Sequence, residues 1–201
     1  MIKAVIFDMG GVLVRTVDPT KRASWEARLG LSAGDAERIV LNSPMGKQAQ
    51  LGAITTEELW AWVQAEFGFD DATLAAFRHD FWAGDVLDEE LVDLIRYLRH
   101  NYQTALLSNF MDELHQVITI QHPMADAFDL VVGSSYEKLM KPTAAIYERT
   151  LERLKRKPEE AVFIDDMLYN VEGARAVGMA AIHYQAGMDL SAALAALGVQ
   201  V

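Results

Sequence analysis

Ile2-Lys3-Ala4-Val5-Ile6-Phe7-Asp8-Met9-Gly10-Gly11-Val12-Leu13-Val14 opens on a short, almost unbroken apolar run that ends at an aspartate followed by two glycines. A strand with one wet face alternates apolar and polar residues. A run apolar on consecutive positions belongs to a strand covered on both faces, as in a parallel sheet flanked by helices. The stretch superficially resembles a secretion signal. Its single lysine, the aspartate inside the apolar run and the lack of a small-residue cleavage site after it argue for a buried strand instead, and for a cytoplasmic protein.

Four further runs share this character: Thr104–Leu107, Leu130–Val132, Ala161–Ile164 and Ala180–His183. Helical spacing separates them. Leu91, Leu94, Ile95 and Leu98 follow an expected N-cap at Asp88, and Ile146, Tyr147, Thr150, Leu151 and Leu154 precede Pro158. Val171, Ala174 and Val177 are closed by Gly178, and Leu190, Leu194 and Leu197 by Gly198. Strands alternating with helices predict an α/β fold: a doubly wound, Rossmann-like parallel sheet of five core strands.

One segment interrupts the alternation. Between the first strand and Asp88 the sequence shows four helical patterns and no convincing strand. They are marked by Trp25 and Leu29, by Ile39 and Val40, by Leu59, Val63 and Phe67, and by Leu74, Phe77 and Phe81. Thr55-Thr56-Glu57-Glu58 is a capping box opening the third. The expected division is a core of residues 1–14 and 86–201 and a helical cap of residues 15–85. An insert at this point rises above the carboxyl ends of the strands, where open α/β sheets bind ligands. Trp25, Trp60, Trp62 and Trp82 all fall within it and are expected mainly to pack its interior.

Composition narrows the function classes. The 201 residues are 51% apolar and 23% charged, enough for a sizeable core, and contain no cysteine. Thiol catalysis, a disulfide framework and a cysteine zinc site are excluded. The net charge of −11 opposes binding to nucleic acid or anionic lipid, and no apolar run is long enough for a membrane span.

Four clusters fall where strands, or the loops after them, meet one edge of the sheet. Asp8 ends the first run; it is either a turn former or a reactive carboxylate, and Gly10 and Gly11 behind it let backbone approach an anion. Ser108-Asn109 ends the second as a helix cap or as a hydroxyl and an N–H that hold a phosphate oxygen. Lys141 precedes Pro142, which keeps it extended and is expected to start the next helix; it is a solvated loop residue or an inward-pointing cation. Asp165-Asp166 follows the fourth run. Adjacent carboxylates there repel each other and call for a cation, and hard oxygen ligands favour Mg²⁺.

The joint order of these clusters resembles the haloacid dehalogenase superfamily, mainly Mg²⁺-dependent phosphohydrolases that form an aspartyl-phosphate. The resemblance covers the whole chain, with the insert similar to the superfamily's helical C1 cap. Phe163-Ile164-Asp165-Asp166, with Asn170-Val171-Glu172-Gly173-Ala174 and Gly178, looks like the branch of bacterial α-D-glucose-1-phosphatases and the phosphatase domain of soluble epoxide hydrolase. The resemblance implies Asp8 as nucleophile and Ser108 and Lys141 as holders of the phosphoryl group, with Asn109, Gly10 and Gly11 also around it. It implies Mg²⁺ on Asp165, Asp166, Asp8 and the Gly10 carbonyl. The implied substrate is a small phosphate monoester, a sugar phosphate or similar.

One departure stands out. Most phosphatases of the superfamily carry a second aspartate, the general acid/base, at the position of Gly10. Asp18 or a cap residue is the alternative proton donor, and a φ above zero at Gly10 is a competing, conformational reason for the glycine. Two rival functions stay open. A metal-free 2-haloacid dehalogenase also lacks the second aspartate, but carries a Ser-Ser-Asn type sequence where this chain has Asp165-Asp166. A binding protein that kept the fold and lost catalysis fits Gly10 but not the retained Asp8, Ser108 and Lys141. Substrate selection is expected in the insert, with a loop at Ser43–Gly52 as the candidate segment facing the site.

Overall fold

The computed structural model describes all of residues 1–201. Its strands are β1 (Ala4–Phe7), β2 (Val14–Thr16), β3 (Asp85–Leu87), β4 (Gln103–Ser108), β5 (Leu130–Gly133), β6 (Ala161–Asp165) and β7 (Ala180–His183). Five of them form a parallel sheet in the order β5-β4-β1-β6-β7. Phe7 lies opposite Leu106 on one side and Ile164 on the other. Every residue of β1 and β6 is buried, which is why both read as continuous apolar runs.

Alternate residues of β1 feed the two faces of the sheet. Val5 and Phe7 join a core of 23 buried residues under helices Glu89–Leu98 and Leu190–Ala196. Ala4 and Ile6 join one of 13 under helices Ala144–Leu154 and Leu168–Ala176. No helix is long and apolar enough to cross a membrane.

The insert has its own apolar centre, where Trp25, Trp60, Phe77 and Phe81 meet edge to face or tilted at centroid separations from 5.3 to 6.1 Å. Trp62 and Trp82 are half-buried around it. The capping box forms: Glu58 N–H donates to the Thr55 hydroxyl at 3.2 Å and Thr55 N–H to the Glu58 carboxylate at 2.7 Å.

Two expectations about the insert need correction. It does contain strands: β2 and β3 pair antiparallel, Val14 opposite Leu87, and make a ribbon that joins it to the core. Both expected domain boundaries fall at this ribbon. At three residues each, with Arg15, Thr16 and Asp85 among them, these strands carry too little apolar pattern to be read. The Ser43–Gly52 segment is not a loop but holds a helix, Pro44–Gln50. The Ser43 side chain accepts from Gly46 N–H at 3.1 Å and Pro44 takes the first turn, so the residues that suggested a loop are start signals.

Candidate active site

Strand order reverses at β1. The chain runs outward from β1 to β4 and β5, then returns to the other side of β1 for β6 and β7. Open α/β sheets bind ligands in the crevice this leaves at the carboxyl ends of the strands. Asp8 follows β1 there, Ser108 ends β4, Asp165 ends β6, and Asp166 comes next. Asp8 N–H donates to Ile164 O at 2.9 Å, which fixes the first aspartate against β6.

Lys141 reaches this edge from the loop before helix Ala144–Leu154. Its Nζ is 2.8 Å from Asp8 Oδ2 and 2.6 Å from Asp165 Oδ2. The three residues are 2%, 7% and 0% exposed respectively, so this is a buried ionic cluster rather than a surface bridge. The ammonium also stands 5.3 Å from the centroid of the Phe163 ring, in cation–π range. The Lys141–Pro142 bond is cis, and Pro142 precedes the helix instead of opening it as expected.

The charges do not balance. Burial pushes the Asp8 carboxyl up to about 8; Lys141 pulls it down and the charge of Asp165 adds to the rise. Burial alone would lower Lys141, but Asp8 and Asp165 together outweigh it and hold the ammonium above its ordinary pKa. Asp166, half-buried, is raised by burial first and by the Asp165 charge second. One ammonium therefore stands among three carboxylates, and one oxygen from each lies within 4.8 Å of the other two. This donor set, hard oxygens with excess negative charge, fits a divalent cation of the Mg²⁺ kind.

The two neighbouring aspartates differ in freedom. Asp165 already accepts from Lys141, from Met167 N–H at 2.8 Å and from Asn170 Nδ2 at 3.0 and 3.1 Å. Asp166 has no ion-pair partner, and its carboxylate lies against the backbone of Gly11. A Cβ on Gly11 would stand 2.2 Å from Asp166 Oδ2, and φ there is +76°.

Residues 2–178 match the haloacid dehalogenase-like hydrolase family. The chain belongs to that family. Among its relatives, a sesquiterpene phosphatase of Aspergillus oryzae, astK, is 29% identical over 183 residues, 90% of this chain and 89% of that protein. The Escherichia coli fructose-1-phosphate phosphatase YqaB is 27% identical over 186 residues, covering 89% and 94%. The fold is shared with a haloacid dehalogenase family enzyme, bt-2542 of Bacteroides thetaiotaomicron, crystallised with magnesium and inorganic phosphate. That likeness has a TM-score of 0.80 at 24% identity over 96% of this chain and 99% of the other.

The remaining site residues of this haloacid dehalogenase-like hydrolase stand as follows. Gly11, expected at a phosphate, uses its N–H on Val14 O at 2.9 Å; its contribution is the missing side chain that admits Asp166. Gly10 has no positive φ, and nothing lies within 4 Å of a Cβ built on it, so the conformational reason for a glycine there does not hold. The Gly10 N–H and carbonyl take part in no backbone hydrogen bond. The Asn109 side chain clamps the Lys141 backbone and leaves the Asn109 backbone N–H, the group expected at a phosphate, out of this contact. Its Oδ1 accepts from Lys141 N–H at 2.9 Å, and its Nδ2 donates to Lys141 O at 3.0 Å. Ser108 is buried at the end of β4. Asp18 is exposed and held below the usual carboxylate range by its hydrogen bond with Thr20, which makes it a poor proton donor.

One positioning residue and one supporting segment were given no role by the sequence reading. Asn170 grips both oxygens of Asp165, and its own carbonyl accepts from the Tyr147 hydroxyl at 2.8 Å. The segment after Ser108 carries the cap. Phe110 lies 6.0 Å from Trp82, the Asp112 carboxylate accepts from Thr56 N–H at 3.1 Å, and Glu113 pairs with Arg78 at 2.7 Å. Asn170 does stand in the motif that carried the resemblance; the cap contacts left no signal in the sequence.

Proposed function

We propose that this protein is a Mg²⁺-dependent phosphohydrolase that cleaves a small phosphate monoester through an aspartyl-phosphate on Asp8. The observation that carries the reading is the single buried ammonium of Lys141 between Asp8 and Asp165, with Asp166 beside them. A phosphoryl dianion entering that edge meets carboxylates, and Lys141 alone does not offset the sum. Electrostatic clamping is the main demand of phosphoryl transfer.

Asp8 attacks phosphorus, an aspartyl–phosphorus bond forms, and the bond to the leaving oxygen breaks. Water then attacks phosphorus, and Asp8 departs as a carboxylate with release of inorganic phosphate. Lys141 holds Asp8 in line and draws negative charge from the phosphoryl oxygens. The Ser108 hydroxyl and the Gly10 and Asn109 N–H groups are donors for the same oxygens. Asp8, Asp166, Asp165 and the Gly10 carbonyl would hold Mg²⁺, which supplies neutralising charge and orients the phosphoryl group. No side chain at position 10 protonates the leaving oxygen, so a weakly basic leaving group is favoured.

Two relatives carry different leaving groups in their names, a sugar and a sesquiterpene. The test of the reading is p-nitrophenyl phosphate turnover with Mg²⁺, with EDTA, and with Mg²⁺ restored, beside halide release from chloropropionate. Phosphate release that EDTA abolishes and Mg²⁺ restores is the expected result. Halide release that EDTA leaves untouched overturns it in favour of the dehalogenase.

A further inference from the structure

Met167, Leu168 and Tyr169 are 41%, 49% and 52% exposed. They are three consecutive exposed large apolar residues; elsewhere such residues stand singly, as Val86, Tyr97 and Ile120 do. Solvent normally disfavours such a run unless something covers it in use.

Its place is fixed. The run begins directly after Asp166, and both its ends are tied to Asp165. Met167 N–H donates to Asp165 Oδ1 at 2.8 Å, and Asn170, the residue after Tyr169, donates its side-chain amide to both Asp165 oxygens at 3.0 and 3.1 Å. The triplet is therefore a rigid ledge beside the acid cluster and not a loose turn. The Tyr169 phenol is raised by burial and next by the charge of Asp165, with Lys141, Asp166 and Asp8 also acting on it, so its ring stands within electrostatic reach of the whole cluster. Phe110, two residues beyond Ser108, and Trp82 of the cap add a half-buried aromatic pair at the cap–core border.

A site that selects a sugar must offer hydrogen-bonding groups to its hydroxyls, because binding strips water from each of them. Along this ledge the only polar side-chain group is the Tyr169 hydroxyl. We propose that Met167, Leu168 and Tyr169 receive the hydrocarbon part of the leaving group, so that the preferred substrate is an apolar phosphate monoester, aryl or long-chain, and not a sugar phosphate. The proposal rests on the phosphohydrolase reading above.

The test is a series of para-alkylphenyl phosphates, from phenyl to para-butylphenyl. The basicity of the leaving phenol stays nearly constant along the series while its apolar surface grows. The kcat/KM of the wild-type protein should climb by about two- to fourfold per methylene and exceed the values for glucose 1-phosphate and fructose 1-phosphate. Leu168→Ser and Tyr169→Ser should flatten that climb, whereas Tyr169→Phe should keep it. A flat wild-type series, faster sugar phosphates, or serine variants with the wild-type slope overturns the ledge while turnover itself preserves the phosphohydrolase. Absence of turnover for every ester, with no binding of inorganic phosphate by calorimetry in the presence of Mg²⁺, overturns both.

Discussion

The core edge and the cap interior are built on opposite principles. At the core edge, Asp8, Ser108 and Asp165 stand where they do because parallel strands in fixed register end together, and backbone hydrogen bonds set their spacing. In the cap, Trp25, Trp60, Phe77 and Phe81 are held by one another's rings, and no strand ladder specifies their positions. The core therefore concentrates charge in a rigid frame, whereas the cap concentrates apolar area in a frame that exists only when packed. A reaction centre common to all substrates suits the first, and an apolar cover over a leaving group seated on the Met167–Tyr169 ledge suits the second.

The sharpest break of this contrast is Asp8→Asn. The amide cannot form the phospho-enzyme, and the variant removes a carboxylate from a cluster already too negative. Turnover should fall by about 10⁴-fold or more while thermal unfolding stays at or above the wild-type temperature. Turnover within tenfold of wild type removes Asp8 from the nucleophile role.

Phe77→Ala attacks the other side. Phe77 is fully buried and touches Trp25, Trp60, Phe69 and Phe81. Its truncation should cost about 3–5 kcal/mol, read by denaturant unfolding, while inorganic phosphate still inhibits below the new transition. Equal loss of phosphate binding under folding conditions would mean that the core edge depends on cap packing.

Gly10→Asp should produce the smallest change, and it adds function. With open space at that Cβ and no positive φ, the variant should fold, with only the small loss of stability that one more carboxylate near the acid cluster brings. For wild type, log kcat/KM against leaving-group pKa should fall steeply. In the variant the slope should flatten, with poor leaving groups gaining about 10²-fold. A flat wild-type slope, with chemistry rate-limiting, means that another group already supplies the proton.

What the sequence disclosed follows the same division. β1 and β6 were legible because burial on both faces demands unbroken apolar runs, and their terminal aspartates stood out against them. Asn109 is legible as a strand-end residue, but the grip of its side chain on the Lys141 backbone is not, because it joins residues 32 apart in sequence. The β2–β3 ribbon was invisible for a different reason: strands of three residues, with Arg15 bound to Asp88 and Tyr184, are stabilised by side-chain pairing that leaves no periodicity. The Pro44–Gln50 helix was hidden because Ser43 and Pro44 serve turns and helix starts alike.

Gly10 and Gly11 are the same letter twice, and the turn gives them opposite evolutionary prospects. At Gly11 any side chain strikes the Asp166 carboxylate, so the position is closed to mutation for as long as the acid cluster matters. At Gly10 a Cβ enters empty space, so the turn itself does not demand a glycine there. Adjacent positions thus separate what must be inherited from what is free to be reinvented.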